Sequence, residues 1–214
     1  MKIFFGIAIL FGMAILAGPA GAEQPAAPLV AGSPASALLA ERSMGSDKAP
    51  ITIIDYSSLT CPHCADFHIQ ILPRIKKDFI ENGAVRLIYR DFPLDGAAMA
   101  GAMVARCAPP HLYFRFLDAL FETQAQWSRA PDPGRSLARV ALLGGMSAKE
   151  VEACLDNGPL LEGIQAIKAE AHRNHGINST PTFIINGVKH SIASYGAFLD
   201  IVNPLLDEAK KKKP

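Results

Sequence analysis

"ITIIDYSSLTCPHCADFH", residues 51–68, passes from a β-branched, apolar run into a serine pair and then into two cysteines separated only by a proline and a histidine. An apolar stretch of this kind, bounded by Pro50 and a serine cluster, reads as a buried strand. A helix should follow at once. Proline is favoured at the first helical position, where its missing N–H would have no partner in any case. The helix then starts at Pro62, with Cys61 as its N-cap and Cys64 as its third residue. Its apolar side runs Cys64, Phe67, Ile71, Ile75 and Phe79, at spacings of three and four. Pro73 should kink it by removing a backbone donor.

Moving outward, "AVRLIYRDF" (84–92) reads as a second strand. The β-α-β unit implies a parallel pair with a right-handed crossover. Residues 97–175 look helical throughout, with capping-box spacing in "SAKE" (147–150) and a break at "NGP" (157–159). "TPTFIINGVKHSI" (180–192) holds two short strands joined by Asn186-Gly187, a strong hairpin signal. A last helix is expected from about Ser194 to Lys210. The chain reads as an α/β domain over 46–210 with a helical insertion at about 97–175.

At the other end, one lysine precedes an apolar run, and Ala20 and Ala22 frame an A-x-A cut. That is the layout of a secretory signal peptide over 1–22. An uncleaved anchor facing the extracytoplasmic side is the alternative, since about 20 apolar residues can span a bilayer. Glycines at 6, 12, 18 and 21 with Pro19 favour cleavage. Residues 23–45, rich in Ala, Pro, Ser and Gly, read as a flexible segment with one helical turn around "SALLAERS". It is too short for an oligomerising stalk, so a monomer is expected. Loss of the signal leaves 192 residues with 20 basic and 20 acidic side chains. That balance argues against nucleic acid as a partner.

All four cysteines, Cys61, Cys64, Cys107 and Cys154, lie in the exported part. An N-cap side chain faces the free N–H groups of the first helical turn, where the helix dipole also favours negative charge. A thiolate at Cys61 is therefore stabilised, and the thiolate is the reactive form of cysteine. A protonated His63 would add to the effect. Cys61 should be the exposed nucleophile, and Cys64, one turn on, the buried resolving thiol. Zinc would call for two further ligands, and His68 stands alone, so no metal is expected. A C-x-x-C beside a β-α-β pattern is the redox reading.

With "CPHC" at 61–64, the strand "ITIIDY", the helical insertion and "STPTF" at 179–183, the sequence resembles the thioredoxin superfamily. Within it, the resemblance is to the DsbA-type thiol:disulfide oxidoreductases of the bacterial periplasm, over roughly residues 45–208. It implies that Pro181 is a cis-proline facing the cysteines and that Thr180 precedes it at the substrate strand. It also implies that Asp55 is a buried acid able to move a proton to or from Cys64, with Arg90 as its conceivable charge partner. The activity implied is the passing of a disulfide to reduced or unfolded exported proteins. No cofactor is needed, and a quinone-linked membrane partner of the DsbB type carries out reoxidation. C-P-H-C favours an oxidase, whereas threonine before the cis-proline also occurs in isomerases and reductases, which remain the alternative. A thiolate metal-binding protein is the reading from another class.

Cys107 and Cys154 can pack as small apolar side chains. In an oxidising compartment a disulfide between them is expected, and related proteins resemble this in carrying a second, structural bridge within the insertion.

Overall fold

The computed structural model describes Met1 and residues 33–211. The expected signal peptide with its cut after Ala22, most of the segment 23–45, and the end of the lysine run at 210–213 lie outside the described residues.

A short helix α1 (Ala35–Leu38) leads into β1 (Arg42–Met44) and β2 (Ile51–Ser57). The helical run α2, residues 62–80, follows as four consecutive segments, Pro62–Asp66, Phe67–Ile71, Leu72–Ile75 and Lys76–Ile80. After β3 (Val85–Asp91) come six helices: α3 (Gly96–Cys107), α4 (Tyr113–Glu122), α5 (Gln124–Ser128), α6 (Pro133–Leu143), α7 (Ala148–Leu155) and α8 (Gly158–His175). The chain returns through β4 (Thr182–Ile185) and β5 (Val188–His190) to α9 (Tyr195–Lys211). This is a thioredoxin-like α/β fold with a helical insertion between β3 and β4.

The sheet order is β1-β3-β2-β4-β5. β2 and β3 are parallel, as the crossover through α2 requires, and every other pair is antiparallel. β2 is the central strand, buried or half-buried at every residue including Asp55 and Ser57, as a strand flanked and covered on both faces must be. Asn186 (φ 45°) and Gly187 (φ 86°) both take positive φ between β4 and β5, the geometry a two-residue hairpin turn demands. β1 corrects the sequence reading. It lies inside the span 23–45 expected to be flexible, yet Arg42–Met44 pairs antiparallel with Leu87–Tyr89. Three residues are too few to show a strand periodicity of their own.

The α2 face also differs from the expected stripe. The segments Phe67–Ile71 and Lys76–Ile80 are π-wound, so each advances the face by about one residue relative to an α-helix. The side chains that reach the core are Cys64, Phe67, His68, Leu72, Ile75 and Ile80, whereas Ile71 and Phe79 are only partly buried. The first π turn ends just before Pro73, where the missing N–H interrupts the ladder.

Two large apolar clusters, with a smaller third around Tyr56, Ile177 and Ile184, hold the molecule. One lies among the insertion helices around Trp127, Phe121 and Leu120, and the other between the sheet, α2 and α9 around Ile53, Phe67 and Phe198. A buried ion pair ties them together. Arg106 on α3 donates from Nε to Asp91 Oδ2 at the end of β3 (2.5 Å) and from Nη1 to the carbonyls of Leu38 and Ala40 (3.0 and 3.3 Å). At the next position Cys107 is bonded to Cys154 of α7, with Cα atoms 6.4 Å apart.

Candidate active site

Cys61 sits in extended conformation (φ −82°, ψ 119°) as the N-cap of α2, with Pro62 at the first helical position. The loop before it is fixed from the insertion. Gln124 donates from Nε2 to the carbonyls of Leu59 and Cys61, each at 2.9 Å. Thr60 Oγ1 donates to Asp95 Oδ2 at 2.7 Å, and the other oxygen of Asp95 accepts the Ala98 N–H that starts α3 (2.8 Å). Gly101 allows the closest approach here. A Cβ on it would meet Leu59 and Trp127 at 3.0 and 3.1 Å.

Cys61 and Cys64 are both free thiols. Cys64 is fully buried, while Cys61 keeps 8% of its surface. The Cys61 S–H donates to the Thr180 carbonyl at 3.3 Å, and the Ser58 N–H points at Cys64 Sγ at 3.5 Å. In this thiol form Cys61 makes no cap hydrogen bond. Its ionised form is nevertheless strongly favoured, with the pKa lowered from 9.0 to about 5. The largest cause is the hydrogen bond from the Cys64 thiol; burial opposes it, and Thr180 with the N–H groups of Cys64 and His63 add to it. The Cys64 pKa moves the other way, pushed far up by burial first, then by its bond to Cys61 and by the charge of Asp55. Ionisation is thus concentrated on the sulfur that solvent can reach.

His63 contributes through its backbone. Its imidazole is 83% exposed and lies 3.9 Å from Asp66. The Thr180–Pro181 peptide is cis. β4 begins one residue later, with Thr182 opposite Tyr56 of β2, which brings the proline beside the strand that leads to Cys61. A cleft of about 310 Å³ opens there, lined by His63, Asp66, Phe67, Thr180, Pro181 and Ile192 among others.

Asp55 is fully buried. It accepts from Ser57 Oγ at 2.5 Å and lies 2.9 Å from His68 Nε2. The partner conceived from the sequence, Arg90, is elsewhere, bonded to Glu41 at 2.9 Å. Strand register explains the difference. Asp55 is opposite Tyr89, so Arg90, opposite Tyr56, leaves from the other face of the sheet. His68 is the residue sequence reasoning missed. In the sequence it stands alone, yet in the fold it is buried, stacked on Phe121 with ring centroids 4.2 Å apart. A signal existed, because His68 falls one turn after Cys64, the first residue of the apolar stripe.

Among the described residues no group of three or more His, Cys, Asp or Glu is placed to hold a metal. None of the described helices is long and apolar enough to cross a membrane.

The chain matches the family model described as thioredoxin over residues 38–203. Among solved structures, alpha-DsbA1 of Wolbachia pipientis aligns with a TM-score of 0.75 at 31% identity, covering 81% of this chain and 94% of that one. BdbD of Bacillus subtilis, in its oxidised form, aligns with a TM-score of 0.70 at 22% identity, covering 78% and 93%, and speaks for the fold alone. A Rickettsia felis relative, whose name assigns it provisionally to the protein-disulfide oxidoreductases, is 27% identical over 170 residues, covering 79% of this chain and 61% of its own. "Disulfide bond formation protein D" of B. subtilis is 26% identical over 155 residues, covering 67% and 66%. The chain therefore spans 61–66% of the length of these two curated relatives.

Proposed function

The chain belongs to the thioredoxin family, in its DsbA-type branch, and from that membership we propose that it is an exported thiol:disulfide oxidase. Its substrates are reduced or unfolded exported proteins, and its working group is the Cys61–Cys64 disulfide, with no further cofactor. A substrate thiolate attacks Cys61 Sγ. The Cys61–Cys64 bond breaks, its electron pair leaves on Cys64 Sγ, and that sulfur takes up a proton. A second substrate thiolate then attacks the substrate sulfur of the mixed disulfide and expels Cys61 as a thiolate. Two substrate thiols are oxidised and the protein's disulfide is reduced to a dithiol.

The observation that carries this reading is the split between the two thiols: Cys61, nearly covered but still touching solvent, favoured as the anion, and Cys64, fully buried, favoured as the neutral thiol. Cys61 is thereby a good leaving group, and the reduced protein is the favoured product. Thr180 and Pro181 present the edge along which an extended substrate segment lies, and the cleft beside Pro181 receives its neighbouring side chains. Asp55 supplies the proton for Cys64. His63 acts by its N–H and, when protonated, by its charge. A quinone-linked membrane protein of the DsbB type restores the disulfide by accepting the two electrons. Residues 1–22 direct export and are then removed, which places the protein in the periplasm, and the Cys107–Cys154 bridge is structural.

The test is to mix the oxidised protein with a reduced peptide bearing two cysteines and follow formation of the peptide disulfide. One peptide disulfide per protein disulfide consumed, abolished in Cys61→Ser, is the expected result. Refolding of a scrambled protein separates the alternative. Efficient rescue of scrambled substrate with poor net oxidation would make the protein an isomerase or reductase.

A further inference from the structure

A proton has to reach Cys64 each time it leaves as a thiolate, and Cys64 is sealed from solvent. On the side of Cys61 the substrate, joined to Cys61 by the mixed disulfide, then stands in the way. The Asp55 carboxyl beneath Cys64 is sealed as well, and its nearest titratable neighbour is His68. With Nε2 turned to Asp55, His68 has its other ring nitrogen, Nδ1, buried and without any hydrogen-bond partner. A buried polar atom left bare costs about 1–3 kcal/mol, so its presence calls for a reason. His68 also lines a cavity of about 200 Å³ between α2 and α4, whose mouth carries Lys76, Arg115, Asp118 and Glu122. That volume holds several waters.

We propose that this cavity is the proton entrance of the active site and that His68 is the residue that carries the proton inward. This rests on the disulfide exchange described above. When Cys64 leaves as a thiolate, the Asp55 carboxyl gives it a proton, and His68 Nε2–H reprotonates Asp55. His68 Nδ1 takes up a proton from the cavity, where Asp118 is a lining carboxyl that senses the His68 charge. One proton enters at Nδ1 and one leaves at Nε2. Reoxidation runs the same path outward, so the imidazole returns to its first tautomer with every full cycle. Asp118 suits the outer position because burial raises its pKa even though His68 pulls it down. The titratable and charged groups around His68 are Asp55 on β2, Lys76 on α2, Tyr89 on β3, and Arg115, Asp118 and Glu122 on α4.

The experiment follows the rate at which the oxidised protein is reduced by the two-cysteine peptide, as a function of pH, for the native chain, His68→Gln and Asp118→Asn. A positioned proton-transfer group is worth about 10²–10⁴-fold. His68→Gln should slow the reduction at least tenfold near neutral pH and flatten the profile. Asp118→Asn changes a side chain at the cavity rim, partly open to solvent, so it stays informative even if His68→Gln fails to fold. It should slow the reduction several-fold near neutral pH and weaken its pH dependence, because the donor on the cavity side is gone. An Asp118→Asn profile identical to the native one overturns the entrance, and a native rate in folded His68→Gln overturns the carrier. A native chain that does not react with the peptide overturns the exchange reading itself, an outcome distinct from both.

Discussion

Replacing Cys64 by alanine removes the largest cause of the low Cys61 pKa. A hydrogen bond to a charged group is worth about 1.5–3 kcal/mol, which is about one to two pKa units. The Cys61 value should rise from about 5 to about 6–7 but stay below 9.0, because Thr180 and the N–H groups at the helix start remain. With Cys107 and Cys154 bonded, Cys61 is the only thiol left to titrate in this variant. The ultraviolet absorbance of its thiolate against pH, checked by the pH dependence of its alkylation, reads the value directly. A pKa that stays at about 5 would refute the assignment to Cys64, and one that returns to 9.0 would leave the helix start and Thr180 no part in it.

The same quantity sets the redox poise. At pH 7 an ordinary thiol of pKa 9.0 is almost wholly protonated while Cys61, at about 5, is ionised. About two units therefore count, a ceiling of about 2.7 kcal/mol. Partial screening of a sulfur that still touches solvent trims this to roughly 1–2 kcal/mol, or roughly 20–40 mV for two electrons. Because the folded pKa is lowered, the advantage of the reduced form is complete above about pH 9 and disappears as pH falls through about 5.

Three further outcomes follow from the packing. Gln124→Ala leaves the carbonyls of Leu59 and Cys61 without their donor and should cost about 1–3 kcal/mol, read by urea unfolding; a loss below about 0.5 would mean that the loop holds itself. Arg106→Leu strands the buried Asp91 carboxylate and should cost about 3–5 kcal/mol, with recovery in the Arg106→Leu, Asp91→Leu pair; equal instability of the single and double variants would contradict this account. Replacing Cys107 and Cys154 by alanine opens a link across 47 positions and should lower stability by at most about 4 kcal/mol, while unchanged urea midpoints would remove the bridge from the stability account.

Local signals carried most of the fold. The β2 run, the Pro62 helix start, the Asn186-Gly187 turn and the capping box at Ser147 and Glu150 each depend on a few adjacent residues, and each element is where those residues put it. What escaped depends on partners distant in sequence. β1 exists because β3 offers it an edge, and the apolar stripe of α2 shifted because its π turns change the period. In the active site the cysteines and Pro181 were legible as a motif. The Asp55–His68 pair was not, because residues on a strand and a helix, 13 positions apart, meet only once the crossover packs. The assignment of Arg90 failed for the same reason, since only the register reveals which face a strand residue uses.

One carboxylate, Asp95, both starts the insertion at Ala98 and holds Thr60, the residue just before Cys61. A lineage that changed Asp95 would lose a helix cap and an active-site anchor in one step, so neither position is free to drift alone. Among relatives, Thr60 and Asp95 should therefore vary together, and a chimera that grafts a foreign insertion onto this sheet should work only if the donor brings its own matching pair.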